Sequence, residues 1–299
     1  MRTLAIDAIQ KANSGHPGAP MALAPVLFSI AERMAYDPND PAWDNRDRFV
    51  LSAGHASALL YSFLHLARVK QPDGSAAVTL DDLKQFRQLH SKTAGHPEKV
   101  LVVGVETTTG PLGQGAGTSV GMAIAGRFKA ARYNQPGFSL FTHNVYAILG
   151  DGCMMEGITS EAASLAGHLK LKNLCWLYDS NKITIEGGTE LAFTEDTGAR
   201  FAAYGWHVEL VEDANDQGAL GDKLAAFGKR SQAEGAGPTL IIVKSRIGYG
   251  SPKKEGTRHA HGEPLGVDEV KATKKAYGWP EDAEFRAPDE AYLAFDEAM

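Results

Sequence analysis

Apolar, strand-like segments alternate with helix-like segments through the middle of this chain. The runs "NVYAILG" (144–150), "NLCWLYD" (173–179) and "PTLIIVKS" (238–245) have the length and composition of buried strands. The segments "MMEGITSEAASLAGHL" (154–169) and "DQGALGDKLAAFGKRSQ" (216–232) lie between strand-like segments and have helical patterns. Strands that alternate with helices of this length form βαβ units. The sequence therefore predicts an α/β fold with a central, mostly parallel sheet and helices on both faces.

The first half of the chain is less regular. A helix is predicted over residues 3–12, a short strand lies in "DRFVLSAG" (47–54), and His55 opens another helix. Residues 88–113 form a long irregular segment that is rich in Gly and Thr and sparing in charge. Loops of this length inside compact domains are usually functional or disordered, and this composition favours function.

Small residues mark one face of the helix predicted after that loop. Gly117, Gly121 and Ala125 in "GAGTSVGMAIAGRFKAAR" (115–132) recur at helical spacing. Residues four apart lie on the same side of a helix. This face therefore allows another helix to pack closely against it.

Composition narrows the class of protein. The chain has 299 residues and a formal net charge of −6, which does not suit non-specific binding to nucleic acid. No run of 18 apolar residues is present, and the amino-terminal segment carries acid among its apolar residues, which disfavours a membrane span and a signal peptide. Cys153 and Cys175 have no metal-binding spacing and are interpreted as structural. These features predict a cytoplasmic protein.

A glycine-flanked aspartate stands where one predicted strand ends. Gly150, Asp151 and Gly152 follow "NVYAIL", and Asn181 follows the next strand. A lone Gly-Asp-Gly forms a turn more often than a ligand site, but a hairpin needs a strand directly after it, whereas a helix is predicted to begin just after Gly152. Parallel neighbours bring their carboxyl ends together, so Asp151 and Asn181 can converge on one cation. Mg²⁺ and a diphosphate at that helix N-terminus fit this pattern.

The spacing of these residues resembles a known cofactor motif. Gly-Asp-Gly followed after 28 residues by Asn181 resembles the motif of thiamine diphosphate enzymes. Around it, a wider resemblance rests on the stretches "KANSGHPGAP", "DPAWDNRDRFVLSAGHAS", "HPE", "TTTGPLGQG", "ILGDGCMMEGITSEAASLAGHLKL", "NKITIEGGTELAFTED", "RFAAYGWHV" and "HGEPLG". In these stretches, the chain is similar to transketolases from about residue 3 to about residue 280. We expect residues 1–280 to form the diphosphate-binding domain and 281–299 a helix that starts a linker to a pyrimidine-binding domain absent from this chain.

The resemblance implies a metal and cofactor site. Asp151, Asn181 and the backbone carbonyl of Ile183 would bind Mg²⁺, for which Ca²⁺ or Mn²⁺ could substitute. Gly110 and Leu112 of "GPLGQG" would lie against the rings of thiamine diphosphate. The expected cofactors are therefore thiamine diphosphate and Mg²⁺.

Four histidines beside Gly or Pro complete the implied site. In the family pattern, His55 and His261 would hold the diphosphate together with the backbone of Gly152. His16 and His96 would face the bound ketose and its reactive carbon. Ketol transfer moves protons at sugar hydroxyls, and histidine titrates near neutrality, so all four are candidate catalytic residues.

The resemblance also implies an activity and partners. Transketolases transfer a two-carbon ketol unit reversibly from ketose phosphates to aldose phosphates, as in the pentose phosphate pathway. A glutamate from the second domain of the partner subunit activates their cofactor, and nothing in this sequence matches that domain. We expect one subunit of a split enzyme or a fragment of a longer one, inactive alone, in an obligate dimer or heterotetramer with two-fold symmetry. Glu156 and Glu161 would lie near the dimer contact.

Two other functions remain open. A thiamine-dependent 2-oxo acid dehydrogenase subunit, or a deoxyxylulose phosphate synthase, shares the Gly-Asp-Gly and Asn pattern but not the histidine contexts or "TELAFTED". A non-catalytic thiamine diphosphate-binding module would keep the fold, but such relics lose metal ligands or active-site histidines first, and none is lost here. The sequence favours a transketolase over both.

Overall fold

A computed structural model describes residues 1–299 and contains one five-stranded sheet in which every pair of neighbours is parallel. The strand order is β1-β2-β3-β5-β4. This confirms the predicted α/β fold with a parallel sheet. The strands are β1 Arg48–Leu51, β2 Val145–Gly150, β3 Leu174–Ser180, β4 His207–Val211 and β5 Thr239–Lys244.

The strands β1, β2, β3 and β5 are mostly buried, whereas the edge strand β4 is largely exposed or half-buried. Because successive side chains of a strand point to opposite sides, the buried part of the sheet is covered on both faces. In β2, Tyr146 and Ile148 belong to one large core cluster. Ala147 and Leu149 belong to a second cluster on the other face, together with Trp176 of β3. Near-continuous apolar strands are typical of a parallel sheet that helices cover on both sides.

Eleven α-helices surround the sheet. Short 3₁₀ turns at Gly54–Ala56, Thr189–Leu191 and Arg258–Ala260 lie in the connections. The helices are α1 Arg2–Ala12, α2 Gly18–Ala31, α3 Ser57–Leu66, α4 Leu80–Lys84, α5 Gln114–Tyr133, α6 Asp151–Met155, α7 Gly157–His168, α8 Thr197–Ala203, α9 Gln217–Arg230, α10 Val267–Ala276 and α11 Asp289–Ala298.

The helix predicted over 154–169 is in fact two helices. The first, α6, already begins at Asp151 rather than after Gly152, and it has only five residues. Glu156 then adopts an extended conformation with ψ 137° and separates α6 from α7. At the break, the Cys153 carbonyl accepts from the Glu156 N–H at 3.3 Å and from the Thr159 hydroxyl at 2.6 Å. Periodicity alone does not reveal such a break, because the apolar positions keep their helical spacing across it.

The carboxyl-terminal segment packs on the main core. Phe285 and Phe295 lie in the larger core cluster. The backbone N–H of Phe285 donates to the Asp7 carboxylate at 2.9 Å, and that carboxylate pairs with Lys274 at 2.5 Å. The domain boundary at residue 280 stays a prediction.

Two other features bear on the sequence expectations. Cys153 and Cys175 are both buried and form no disulfide. None of the helices combines the length and the apolar character needed to cross a bilayer.

Candidate active site

One cavity of about 340 Å³ opens at the carboxyl edge of the sheet. Register explains its position: Gly150 at the end of β2 is paired with Asp179 near the end of β3, so the segments that follow both strands leave the sheet side by side. All ten residues that the sequence predicted to bind metal, cofactor or substrate line this cavity. They are His16, His55, His96, Gly110, Leu112, Asp151, Gly152, Asn181, Ile183 and His261.

Asp151 is buried and accepts three hydrogen bonds. The Tyr178 hydroxyl donates to its Oδ1 at 2.5 Å, and the backbone N–H groups of Asn181 and Lys182 donate to its Oδ2 at 3.1 and 2.9 Å. Burial raises the pKa of Asp151, and these donors oppose that shift because they favour the carboxylate. The carboxylate is therefore fixed in place. Sequence reasoning missed Tyr178, since its side chain belongs to an apolar strand.

Asp179 is a second carboxyl group in the cavity that sequence reasoning missed. Asn181 donates to it from Nδ2 at 2.9 Å, and the Ser245 hydroxyl donates to its other oxygen. Burial raises the pKa of Asp179 to about 7, and the nearby charge of Asp151 acts in the same direction. Its position two residues before Asn181 at the end of a strand was the available signal.

The predicted metal donors are all oxygen atoms. The chain brings together no group of three His, Cys, Asp or Glu side chains suited to a metal ion. The predicted donor set is of a different kind, because only the Asp151 carboxylate is one of those four side-chain types. Its other two donors are the Asn181 amide oxygen and the Ile183 backbone carbonyl. The Asn181 oxygen accepts from the Ile183 N–H at 2.9 Å and retains a second lone pair. Such oxygen donors suit a hard cation such as Mg²⁺.

Gly152 lies in the first turn of α6, against Leu112. A Cβ atom built at Gly152 would stand 2.9 Å from Leu112 Cδ1, so the glycine lets the two segments approach closely. Gly110 likewise packs beside the His96 ring. The irregular loop over residues 88–113 therefore brings three predicted residues to the cavity.

The four histidines form one cluster of rings. The centroid of His16 lies 5.1 Å from that of His55, 5.8 Å from that of His261 and 6.3 Å from that of His96. His55 and His261 stack at 5.2 Å. His259 lies outside this cluster, half exposed, with its Nδ1 3.4 Å from the Glu263 carboxylate.

Electrostatics hold this cluster neutral. Burial lowers the pKa of His16 to about 4 and that of His55 to about 3, and nearby positive charge adds to both shifts. Burial also lowers the pKa of His96 and of His261. The sequence led us to expect histidines that titrate near neutrality, whereas the folded chain keeps them uncharged at pH 7. Each ring therefore offers one donor and one acceptor nitrogen, and Nδ1 of His261 is buried without a partner.

Comparisons with known proteins match the whole chain to one family. The family model described as "Transketolase, thiamine diphosphate binding domain" matches residues 1–299. The transketolase of Geobacillus stearothermophilus is 53% identical over 296 residues, which is 99% of this chain and 43% of that protein. Transketolase 1 of Saccharomyces cerevisiae is 51% identical over 292 residues, which is 98% of this chain and 41% of that protein.

Solved structures give the same result. The transketolase of Pichia stipitis in complex with sedoheptulose 7-phosphate superposes with a TM-score of 0.93 at 48% identity, covering 99% of this chain and 42% of that one. The transketolase of Campylobacter jejuni gives a TM-score of 0.90 at 44% identity, covering 99% and 44%. The chain thus spans less than half the length of these relatives.

Proposed function

The chain belongs to the transketolase family, and on that premise we propose that it supplies the diphosphate-binding half of an active site for ketol transfer. The observation that carries the proposal is the cavity itself. It joins a fixed carboxylate and an amide oxygen at the sheet edge to four neutral imidazoles. The substrates would be a ketose phosphate and an aldose phosphate, and the two free, buried cysteines suit a cytoplasmic setting.

The residues present fit thiamine diphosphate with Mg²⁺. Asp151, Asn181 and the Ile183 carbonyl would hold the metal, and Mg²⁺ would supply positive charge to offset that of a diphosphate. The backbone of Gly152 and the rings of His55 and His261 would contact the diphosphate, and the unpartnered Nδ1 of His261 is available for it. Gly110 and Leu112 would flank the cofactor rings.

The chain's own residues would bind and orient the sugar. Thiamine diphosphate, when bound, would supply a carbon nucleophile for the ketose carbonyl and a sink for the electron pair of the bond to be broken. His16 and His96 would hydrogen-bond the ketose oxygens near that bond. Because a neutral imidazole has an acceptor nitrogen, His96 can take the proton that leaves a sugar hydroxyl.

The remaining half of the site would come from outside these residues. The chain spans between 41% and 44% of the relatives described above. We propose that a second polypeptide, or the continuation of this one, supplies the pyrimidine pocket and its activating carboxylate. The native mass of the complex from its own cells distinguishes the two. A different chain of comparable size indicates a split enzyme, and a single polypeptide about twice as long indicates a fragment.

An exposed apolar face supports a two-fold assembly. We define the α5–α7 face by four side chains that are 37–70% exposed: Ile124, Phe128, Ile158 and Leu165. Gly121 of α5 is also exposed, and a Cβ built there would have nothing within 4 Å. Of the small-residue face predicted on α5, Gly121 and Ala125 are exposed, whereas Gly117 lies against Ile158 of α7. We propose that a second copy covers the α5–α7 face, which would bring Glu156 and Glu161 near the contact.

Reconstitution tests the proposed activity. The purified chain with thiamine diphosphate and Mg²⁺ is expected to bind the cofactor without turnover, and addition of its partner is expected to start ketol transfer between sugar phosphates. Asp151→Asn should abolish cofactor retention, whereas Asp222→Asn, at an exposed position of α9, should not. Steady turnover by the chain alone would contradict the proposal that it supplies only half of the active site. Activity with pyruvate in place of the ketose phosphate would indicate a 2-oxo acid enzyme.

A further inference from the structure

Arg87 lies behind the histidine cluster and has only neutral partners. Its Nη1 donates to Ser14 Oγ at 3.0 Å. Its Nη2 lies 3.2 Å from His16 Nδ1 and 3.4 Å from the Gly95 carbonyl oxygen. Burial lowers the pKa of Arg87, and no carboxylate offsets that cost. A half-buried cation without a counter-ion is costly to stability, which suggests that it serves the site beside it.

The backbone around Arg87 is shaped to place the guanidinium there. Arg87 has a φ of 60°, in the left-handed region that non-glycine residues rarely adopt. At Gly95, a Cβ would stand 2.7 Å from Arg87 Nε, so only a glycine leaves room for the side chain. Strained backbone of this kind persists where the surrounding structure holds it, and it concentrates at functional sites.

The contact with His16 has a chemical consequence. A guanidinium group only donates hydrogen bonds and stays charged at all accessible pH values. The nitrogen that faces it, His16 Nδ1, must therefore be the acceptor. In a neutral imidazole the proton then lies on Nε2. That nitrogen is on the side of the ring toward Gly262, where a built Cβ would stand 3.6 Å from it, beside His261 in the cavity.

Building on the proposed function, we propose that Arg87 is a positioning residue that holds His16 as the neutral Nε2–H tautomer, so that His16 donates a hydrogen bond to an oxygen of the bound ketose. His16 is then a fixed donor and not a general base. The proton that leaves the sugar must go to another ring of the cluster, such as His96. His16 and His96 thus have different roles, whereas the sequence analysis assigned both of them the same role of facing the bound ketose.

Nitrogen NMR of the assembled protein tests the tautomer directly. In protein labelled with ¹⁵N-histidine, the His16 Nδ1 resonance is expected to be of the non-protonated type and Nε2 of the protonated type. The signal is assigned by its loss in His16→Gln. This readout needs neither substrate nor turnover, so it stands or fails separately from the proposed activity. A protonated Nδ1 in the wild-type protein would overturn the proposal.

Kinetics test whether Arg87 acts through His16. Arg87→Gln, whose amide can donate or accept, should lower kcat/KM about tenfold and give a mixture of tautomers, whereas Arg87→Lys should retain the Nε2–H form. In a His16→Gln background, Arg87→Gln should have little further effect. A full second tenfold loss in that background would show that Arg87 acts independently of His16, and the idea would be abandoned.

Discussion

Asp179 accepts a hydrogen bond from the side-chain amide of Asn181, with Asp179 Oδ2 2.9 Å from Asn181 Nδ2. The Ser245 hydroxyl donates to the other oxygen of the same carboxyl group. Because its nitrogen is held on that side, the Asn181 amide turns its oxygen the other way, where the Ile183 N–H donates to it at 2.9 Å. Asp179 therefore determines which atom of Asn181 is available to a cation.

Asp179→Leu should weaken Mg²⁺ binding. The substitution removes the acceptor that orients Asn181, and loss of such a supporting contact costs about 10- to 100-fold in metal affinity. Titration of the thiamine diphosphate complex with Mg²⁺ measures the effect. Asp179→Asn is the matched control, because its carbonyl oxygen can still accept from Asn181. Equal losses in the two variants would contradict an orienting role.

Gly113→Ala should destabilise the fold. Gly113 precedes α5 with a φ of 79°, and a Cβ there would stand 2.6 Å from Ile158 Cγ2 and 3.0 Å from Glu156 Cβ. The strained conformation and the clash together should lower the free energy of unfolding by about 1–3 kcal/mol. Denaturant unfolding, followed by circular dichroism, gives the number.

A glycine in an ordinary helical position provides the control. Gly228 lies inside α9, and a Cβ built there would have nothing within 4 Å. Gly228→Ala should therefore raise the free energy of unfolding by about 0.5–1 kcal/mol, since alanine is the better helix former. If the two alanine variants shifted stability in the same direction, the proposed strain at Gly113 would be wrong.

Much of the site could be predicted because it depends on regular geometry. Asp151 and Asn181 follow adjacent parallel strands, and the strand pattern alone places their backbones at one edge of the sheet. The four histidines were found through the motifs around them. The cavity brings them together although 245 residues separate His16 from His261 (261 − 16).

The parts that were missed depend on tertiary contacts. Arg87 meets His16 across 71 residues, and no local pattern marks an arginine that pairs with an imidazole. The lowered pKa values of His16 and His55 arise from burial and from the nearby Arg87 and histidine side chains, neither of which the sequence shows. The break at Glu156 is likewise a tertiary feature, since α7 turns away from α6 to pack along α5.

Acid should destabilise the chain partly through His143. This side chain is buried, and burial together with Arg48, Lys129 and Arg46 lowers its pKa from 6.5 to about 4. Because the pKa of His143 is lower in the folded chain than in the unfolded chain, the unfolded chain takes up the proton first as the pH falls. The free energy of unfolding is therefore unaffected by protonation of His143 above pH 6.5 and decreases as the pH falls from 6.5 toward 4. His143→Gln cannot take up that proton.

Thermal melts of the two proteins across this range check the linkage. The Tm of His143→Gln should fall less between pH 7 and pH 5 than the Tm of the wild-type protein. His143 precedes β2, whereas the candidate site lies at the carboxyl end of that strand, and His143 does not line its cavity, so the measurement does not depend on bound cofactor. Parallel pH dependence in both proteins would show that His143 is not the group responsible.

Phe128→Glu should break the proposed two-fold assembly. The Phe128 ring is 70% exposed on the α5–α7 face. Burying a side chain of this size in the contact would stabilise the assembly by about 1.5–3 kcal/mol. A glutamate at this position would instead have to lose its hydration when the contact forms. Analytical ultracentrifugation should show the mass halved. Phe138→Glu is the matched control, because Phe138 is 62% exposed but lies in the turn after α5. Dissociation by both variants would indicate a general loss of stability, and an intact assembly with Phe128→Glu would place the contact elsewhere.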